Sequence, residues 1–201
     1  MNDGTKAVLA DNGDEAADYI AARAAKAGRA CGSCSLCCKV LDVPDLAKPE
    51  GKWCKHCKPG HGGCTIYDNR PDVCKGFACL WLINDFWGEE WKPTRCKMVL
   101  REHPFENHIV LYVNVDQAYP DAWRKSPYYE QLKIYTSLWP ERPVCISIGA
   151  RRIAMVPDME VELQPGESVS VPWTLPDTVS PEQKKQFLTM MARARSSQTL
   201  S

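Results

Sequence analysis

The chain has 201 residues with 25 basic and 25 acidic side chains, enough for one domain or two small ones packed together. Balanced charge argues against a general nucleic-acid or membrane-surface binder, whose footprint is basic. No apolar run approaches the roughly 20 residues needed to span a bilayer.

Residues 1–14 hold Gly, Asp and Asn without periodicity and read as disordered. Residues 15–29 are alanine-rich with charges at intervals and predict a helix ending at Gly28. The first thirty residues carry acidic side chains and lack the apolar core of a secretion signal, so a cytoplasmic address is the expectation. Residues 31–79 then hold nine of the 11 cysteines. They also hold Pro44, Pro49, Pro59 and Pro71 and glycines at 51, 60, 62 and 63, which forbid a long helix or a regular sheet. The block is too poor in aliphatic residues to build its own core, so something else must order it. Its basic residues, Lys48 among them, read as solvated loop residues that partly offset thiolate charge.

From Val73 to Trp91 the chain is dense in aromatics and predicts a helix with a break near Gly88. Phe77, Trp81, Phe86, Trp87 and Trp91 are expected in the core, packing the cysteine block onto the rest. His108–Val115 predicts a strand with Ile109, Leu111, Val113 and Val115 on one face. Pro127–Leu138 suggests a helix. Val144–Val156 reads as a hairpin turning around Gly149-Ala150-Arg151, and Val161–Val171, interrupted at Pro165-Gly166, as another. Ser180 caps a final helix with Pro181 in its first turn, running to about Arg195. The expected fold class is α+β: a small, irregular, metal-ordered cysteine-rich layer packed on helices and a short antiparallel sheet. The expected divisions are 1–30, a disordered or helical N-terminal segment; 31–96, the cysteine-rich region; 97–178, an α+β region; and 179–201, a C-terminal helix and tail.

The cysteine spacing carries the chemistry. Cys31-x-x-Cys34-x-x-Cys37-Cys38 and Cys54-x-x-Cys57 repeat the two-residue gap that lets a tight turn aim both sulfurs at one ion, and Cys64, Cys74 and Cys79 follow. In a reducing compartment such clusters bind metal or do redox work, and an odd total of 11 leaves a thiol over in any disulfide scheme. Zinc takes four ligands in a tetrahedron, with sulfur at about 2.3 Å. Nine thiols suit two four-cysteine sites with one to spare, or a polynuclear site with bridging thiolates. An iron–sulfur cluster also uses cysteine ligands, but the ferredoxin run continues x3-C-P where Cys38 here follows at once. Metal ordering would suffice: structural zinc contributes about 10–16 kcal/mol in finger peptides, against a net domain stability of about 5–15 kcal/mol. His56 and His61 are candidate ligands that read better as surface or supporting residues. Cys145 reads as a small buried hydrophobe in a strand and Cys96 as a bystander.

Cys31-x-x-Cys34-x-x-Cys37-Cys38, then Cys64-Thr-Ile-Tyr67-x-x-Arg70-Pro71-x-x-Cys74 with Phe77 and Cys79, resembles the CxxCxxCC cysteine-cluster family (YkgJ-type). That family is described as a zinc- or iron-chelating domain and includes a flagellin lysine N-methylase. The resemblance covers about residues 31–80 and implies that Cys31, Cys34, Cys37, Cys38, Cys64, Cys74 and Cys79 are chelators. Cys54 and Cys57 rest on spacing alone. Physically, Pro71 starts a helix, Tyr67 packs on the metal loop, and Arg70 either donates to a backbone carbonyl or faces the thiolates. The leading expectation is a cytoplasmic protein binding zinc or an iron–sulfur centre, its partner the metal ion or cluster. One alternative is a metal-dependent enzyme related to the lysine N-methylase, though no glycine-rich strand–turn–helix that would cradle a nucleotide-like cofactor stands out. Another is a zinc-ordered module presenting its aromatic region or C-terminal sheet to a protein partner.

Overall fold

A computed structural model of the chain describes residues 13–59, 63–105 and 108–164. Helix α1 (Gly13–Lys26) ends as its composition predicts. Gly28 takes φ +65°, its N–H donates to Ala25 O at 3.0 Å, and the Arg29 N–H donates to Ala24 O at 2.9 Å. This is how a left-handed glycine satisfies the last carbonyls of a helix. Apart from Gly13 and Asp14, which open α1, the 1–14 segment lies outside the described residues, as do the 180–195 helix and most of the 161–171 hairpin.

The expected α+β class is the observed one. Strands β1 (Met98–Phe105), β2 (His108–Val115), β3 (Val144–Ile148), β4 (Arg151–Met155) and β5 (Glu160–Leu163) lie side by side in chain order. All neighbours are antiparallel except β2 and β3, which run parallel. A parallel pair needs a crossover, and α6 (Tyr128–Leu138) lies on that connection. The β3–β4 hairpin turns at Gly149, whose φ of +61° suits glycine. Val161 belongs to β5 and pairs with Ala154 of β4, so the expected second hairpin begins instead as an edge strand.

Two elements depart from the sequence expectation. The helix predicted over Val73–Trp91 is three short pieces: α3 (Asp72–Lys75), α4 (Leu80–Ile83) and a 3-10 turn at Glu89–Trp91. Cys79 enters α4 in an extended conformation with ψ 151°, and the Asn84 side chain accepts the Phe86 N–H at 2.9 Å, holding a turn where the helix would continue. Strand β1 was not expected at all. Its apolar start, Met98-Val99-Leu100, is followed by Arg101-Glu102-His103-Pro104, and pairing with β2 from Met98–Val115 to Phe105–His108 is what makes it a strand. It follows α5 (Pro93–Cys96), which opens on a proline.

Leu111, Val113 and Val115 share one sheet face with Met98, Leu100, Val144, Ile146 and Met155, and all are buried. Trp87, Trp91, Trp123, Leu132 and Tyr135 join them in one core. Trp91 meets Trp87 edge-on at 5.0 Å and Tyr128 at 5.0 Å, the preferred geometry for aromatic pairs. Its indole N–H donates to Gln131 Oε1. The expected aromatic core is therefore present, with Phe77 and Phe86 packed at its margin. The cysteine layer docks on this body through buried Leu36 and Val40 and through polar pins. Lys39 Nζ pairs with Asp116 at 2.6 Å, Ser147 donates to Glu50 Oε1 at 3.2 Å, and Arg152 Nη2 meets Glu50 Oε2 at 3.0 Å.

Candidate metal centre

The cysteine layer is built of tight turns. The Cys34 N–H donates to Cys31 O at 2.8 Å and the Cys38 N–H to Ser35 O at 3.0 Å, leading into α2 (Cys37–Val40). The second cysteine turn is pinned to the first, because the Cys54 N–H donates to Cys38 O at 3.0 Å and the Cys57 N–H to Cys54 O at 3.0 Å. Cys57 stands opposite Cys64 in an isolated antiparallel bridge. Cys74 lies in α3, entered from Pro71, with its N–H on Pro71 O at 2.8 Å. All 11 cysteines are free thiols; Cys31 is exposed, while Cys54, Cys79, Cys96 and Cys145 are buried.

Electrostatics shows which thiols share a neighbourhood. A hydrogen bond with Cys37 and burial push the Cys38 thiol far up, and Cys57 and Lys48 pull it only part of the way back. Burial, with Cys38 and Cys54 nearby, raises Cys57 to about 11 against the opposing pull of Ser35. Cys74 is raised by burial and by Cys38, Cys54 and Cys64, with Arg70 opposing. Cys37, Cys38, Cys54, Cys57, Cys64 and Cys74 thus form one group drawn from four stretches of chain. Cys31 responds to burial, Cys34 and Cys38, with Arg70 opposing, and buried Cys79 responds to burial and, less, to Cys31 and Cys34, with the Leu82 N–H opposing. Cys79 lies in the core and Cys34 packs against it, while Cys31 is exposed. Cys145 sits apart in β3, buried as expected, with Arg152 and Arg101 as its charged neighbours.

Lys48 is not the solvated loop residue its sequence context suggests. It is only 6 % exposed, and its ammonium donates to Lys39 O at 2.8 Å and to Leu41 O. Burial lowers its pKa, while Cys38, Cys54, Asp42 and Cys37 hold it up. A bridge between Val43 and Lys48 fixes the turn that carries it inward. A lysine between two prolines gives no sequence signal of this, since the burial comes from that turn closing on α2. Arg70 fulfils both of its expected roles: Nε donates to Tyr67 O at 2.7 Å, and its charge favours the Cys31 and Cys74 thiolates. Tyr67 is 58 % exposed and stacks under the Arg70 guanidinium at 3.7 Å. This corrects its expected packing on the metal loop. His56 offers its backbone carbonyl to the Thr65 N–H at 2.8 Å, and His61 lies outside the described residues.

Soft thiolates select zinc, copper(I) or iron–sulfur centres, and the donor set here is sulfur with lysine and arginine as countercharge. Among the described residues no three His, Cys, Asp or Glu side chains already stand together at ligating geometry. No helix among them is long and apolar enough to cross a membrane. The chain matches no protein-family model, no curated protein and no solved structure.

Proposed function

We propose that the chain is a cytoplasmic metal-binding protein that chelates zinc or an iron–sulfur centre through its cysteine layer. The observation that carries the reading is the convergence on Cys38. Cys37 and Cys57 lie within hydrogen-bonding reach of its sulfur, and its charge is felt at Cys31 and Cys74. Thiols crowded in this way raise one another's pKa. A dication in their midst reverses that effect, because it makes the thiolate the favoured form.

The chain's own residues have definable tasks. The turns at Cys34, Cys38 and Cys57 hold these cysteines in compact loops from which a metal ion would draw the sulfurs together. Lys48 and Arg70 offset the negative charge that accumulates when thiolates outnumber the metal charge. The Ser35 hydroxyl favours the Cys57 thiolate. Bound metal supplies the cross-links that this apolar-poor layer lacks. The resemblance of residues 31–80 to the CxxCxxCC family supports the same reading.

Substitution tests it. Cys38→Ser lowers bound metal and exposes residues 31–79 to protease, whereas Cys145→Ser, away from the layer, leaves both unchanged. Metal content in Cys38→Ser equal to that of the parent protein refutes the assignment.

A further inference from the structure

Cys57 and Cys64 stand directly opposite each other in an antiparallel bridge, and the backbone hydrogen bonds fix which kind of pair they form. The Thr65 N–H donates to His56 O at 2.8 Å and the Lys58 N–H donates to Gly63 O at 3.3 Å. Both bonds run between the flanking residues, so Cys57 and Cys64 are a non-hydrogen-bonded pair. In such a pair the opposed Cα atoms lie about 4.5 Å apart and the two side chains leave the same face at their closest approach. A disulfide requires Cα atoms about 4.4–6.8 Å apart. The backbone therefore already has the spacing that a bond between these two sulfurs needs.

Local contacts hold this register. Gly63 takes φ +114°, a conformation that glycine adopts at no steric cost. The Thr65 hydroxyl also donates to His56 O, at 3.3 Å. On one side the Cys57 N–H is tied to Cys54 O at 3.0 Å, and on the other Cys64 O accepts the Tyr67 N–H at 3.2 Å. Both thiols are free and partly exposed, and their chain neighbours Lys58, Gly63 and Thr65 are exposed. A small oxidant can reach them, unlike the buried thiols of Cys54 and Cys79.

We propose that Cys57 and Cys64 are a thiol–disulfide exchange site, oxidised to an intramolecular disulfide by a low-molecular-weight disulfide of the glutathione class. One thiolate of the pair attacks a sulfur of the oxidant, which forms a mixed disulfide and expels one glutathione thiolate. The other attacks the cysteine sulfur of that mixed disulfide, closes the Cys57–Cys64 bond and expels the second. The two thiol protons pass through solvent to the two leaving thiolates. The pair loses two electrons and the oxidant gains them, and excess reduced glutathione runs the same steps backwards. Exposed disulfides of this kind are the labile, regulatory ones, and those of reducing compartments are transient.

The bond needs only the geometry of the pair. Its consequence rests on the reading that the cysteine layer chelates metal. A sulfur held in a disulfide is no longer a thiolate ligand, so oxidation withdraws two ligands at once and releases the metal. Metal loading of the layer then answers to the thiol–disulfide balance around it.

The test incubates the full reduced chain with oxidised glutathione under anaerobic conditions, with and without a metal chelator. Free thiols are then alkylated and the unreduced digest is mapped by mass spectrometry. The expected map links the Cys57 peptide to the Cys64 peptide, with a free-thiol count lower by about two that excess reduced glutathione restores. Cys38→Ser keeps the link, whereas Cys64→Ser loses it and carries glutathione on Cys57. A bond from Cys57 to Cys38 in place of Cys64 overturns the exchange site. So do glutathione adducts on both cysteines with no link in the chelator-treated parent protein. In metal-loaded protein, metal is released in proportion to the linked peptide; complete linking with full metal content overturns the coupling. A chain that purifies without metal yet forms the link defeats the metal reading and leaves the exchange site standing.

Discussion

Trp91→Phe probes the aromatic hub that joins α6 to the core. Trp91 is 1 % exposed and Gln131 7 %. The indole N–H supplies the hydrogen bond to Gln131 Oε1, while Gln131 Nε2 donates to Glu90 Oε1 at 3.4 Å. Phenylalanine keeps an aromatic edge for Trp87 and Tyr128 but leaves that buried oxygen without its donor, a cost of about 1–3 kcal/mol. The missing ring volume adds about 1–2 kcal/mol. A total near 3 kcal/mol corresponds to a fall in Tm of about 6–12 °C for a chain of this size. Urea denaturation followed by circular dichroism measures it at equal metal content. Trp53→Phe serves as the control, since Trp53 is 42 % exposed, and its change should stay within about 0.5 kcal/mol. A loss below about 1 kcal/mol in Trp91→Phe would refute the idea that this hydrogen-bonded aromatic hub holds α6 to the core.

Two further substitutions test separate contacts. Arg29→Met keeps the side-chain stem but removes the donors to Trp81 O and Asn84 O; a cost of about 1–3 kcal/mol and faster protease cleavage of α1 are expected, and an unchanged cleavage rate would contradict this. Burial raises the Glu102 carboxyl above its ordinary value, and Arg142 at 3.7 Å only partly restores it. The folded state therefore holds that proton more tightly than the unfolded one, and stability is lost as pH rises from the ordinary carboxylate value through the folded one. Glu102→Gln should be more stable than the parent near pH 7 and gain little in acid; urea midpoints across that range check it, and destabilisation near neutral pH would show the sign is wrong.

Much of the body was legible because its signals are local. Alternation in His108–Val115 gave β2 and its buried face, Gly28 marked the end of α1, and Gly149 marked the β3–β4 turn. Strand β1 was hidden because its second half is charged and carries Pro104, so only pairing with β2 reveals it. The long helix expected across Val73–Trp91 failed for a similar reason. Its composition favours burial, but Cys79 and Asn84 break the backbone into turns that a count of apolar residues does not see. In the candidate site, spacing picked out the cysteines but not their neighbours. Lys48 has no sequence signature, since its place depends on how the Val43–Lys48 turn closes on α2.

The most direct measurement is elemental analysis of anaerobically purified protein, with acid-labile sulfide determined on the same sample. The cysteine layer predicts stoichiometric zinc in a colourless protein, or iron with sulfide in a brown one. In either case, removing the metal makes residues 31–79 sensitive to protease. Metal-free protein whose cysteine layer resists protease as well as the rest of the fold would contradict the account.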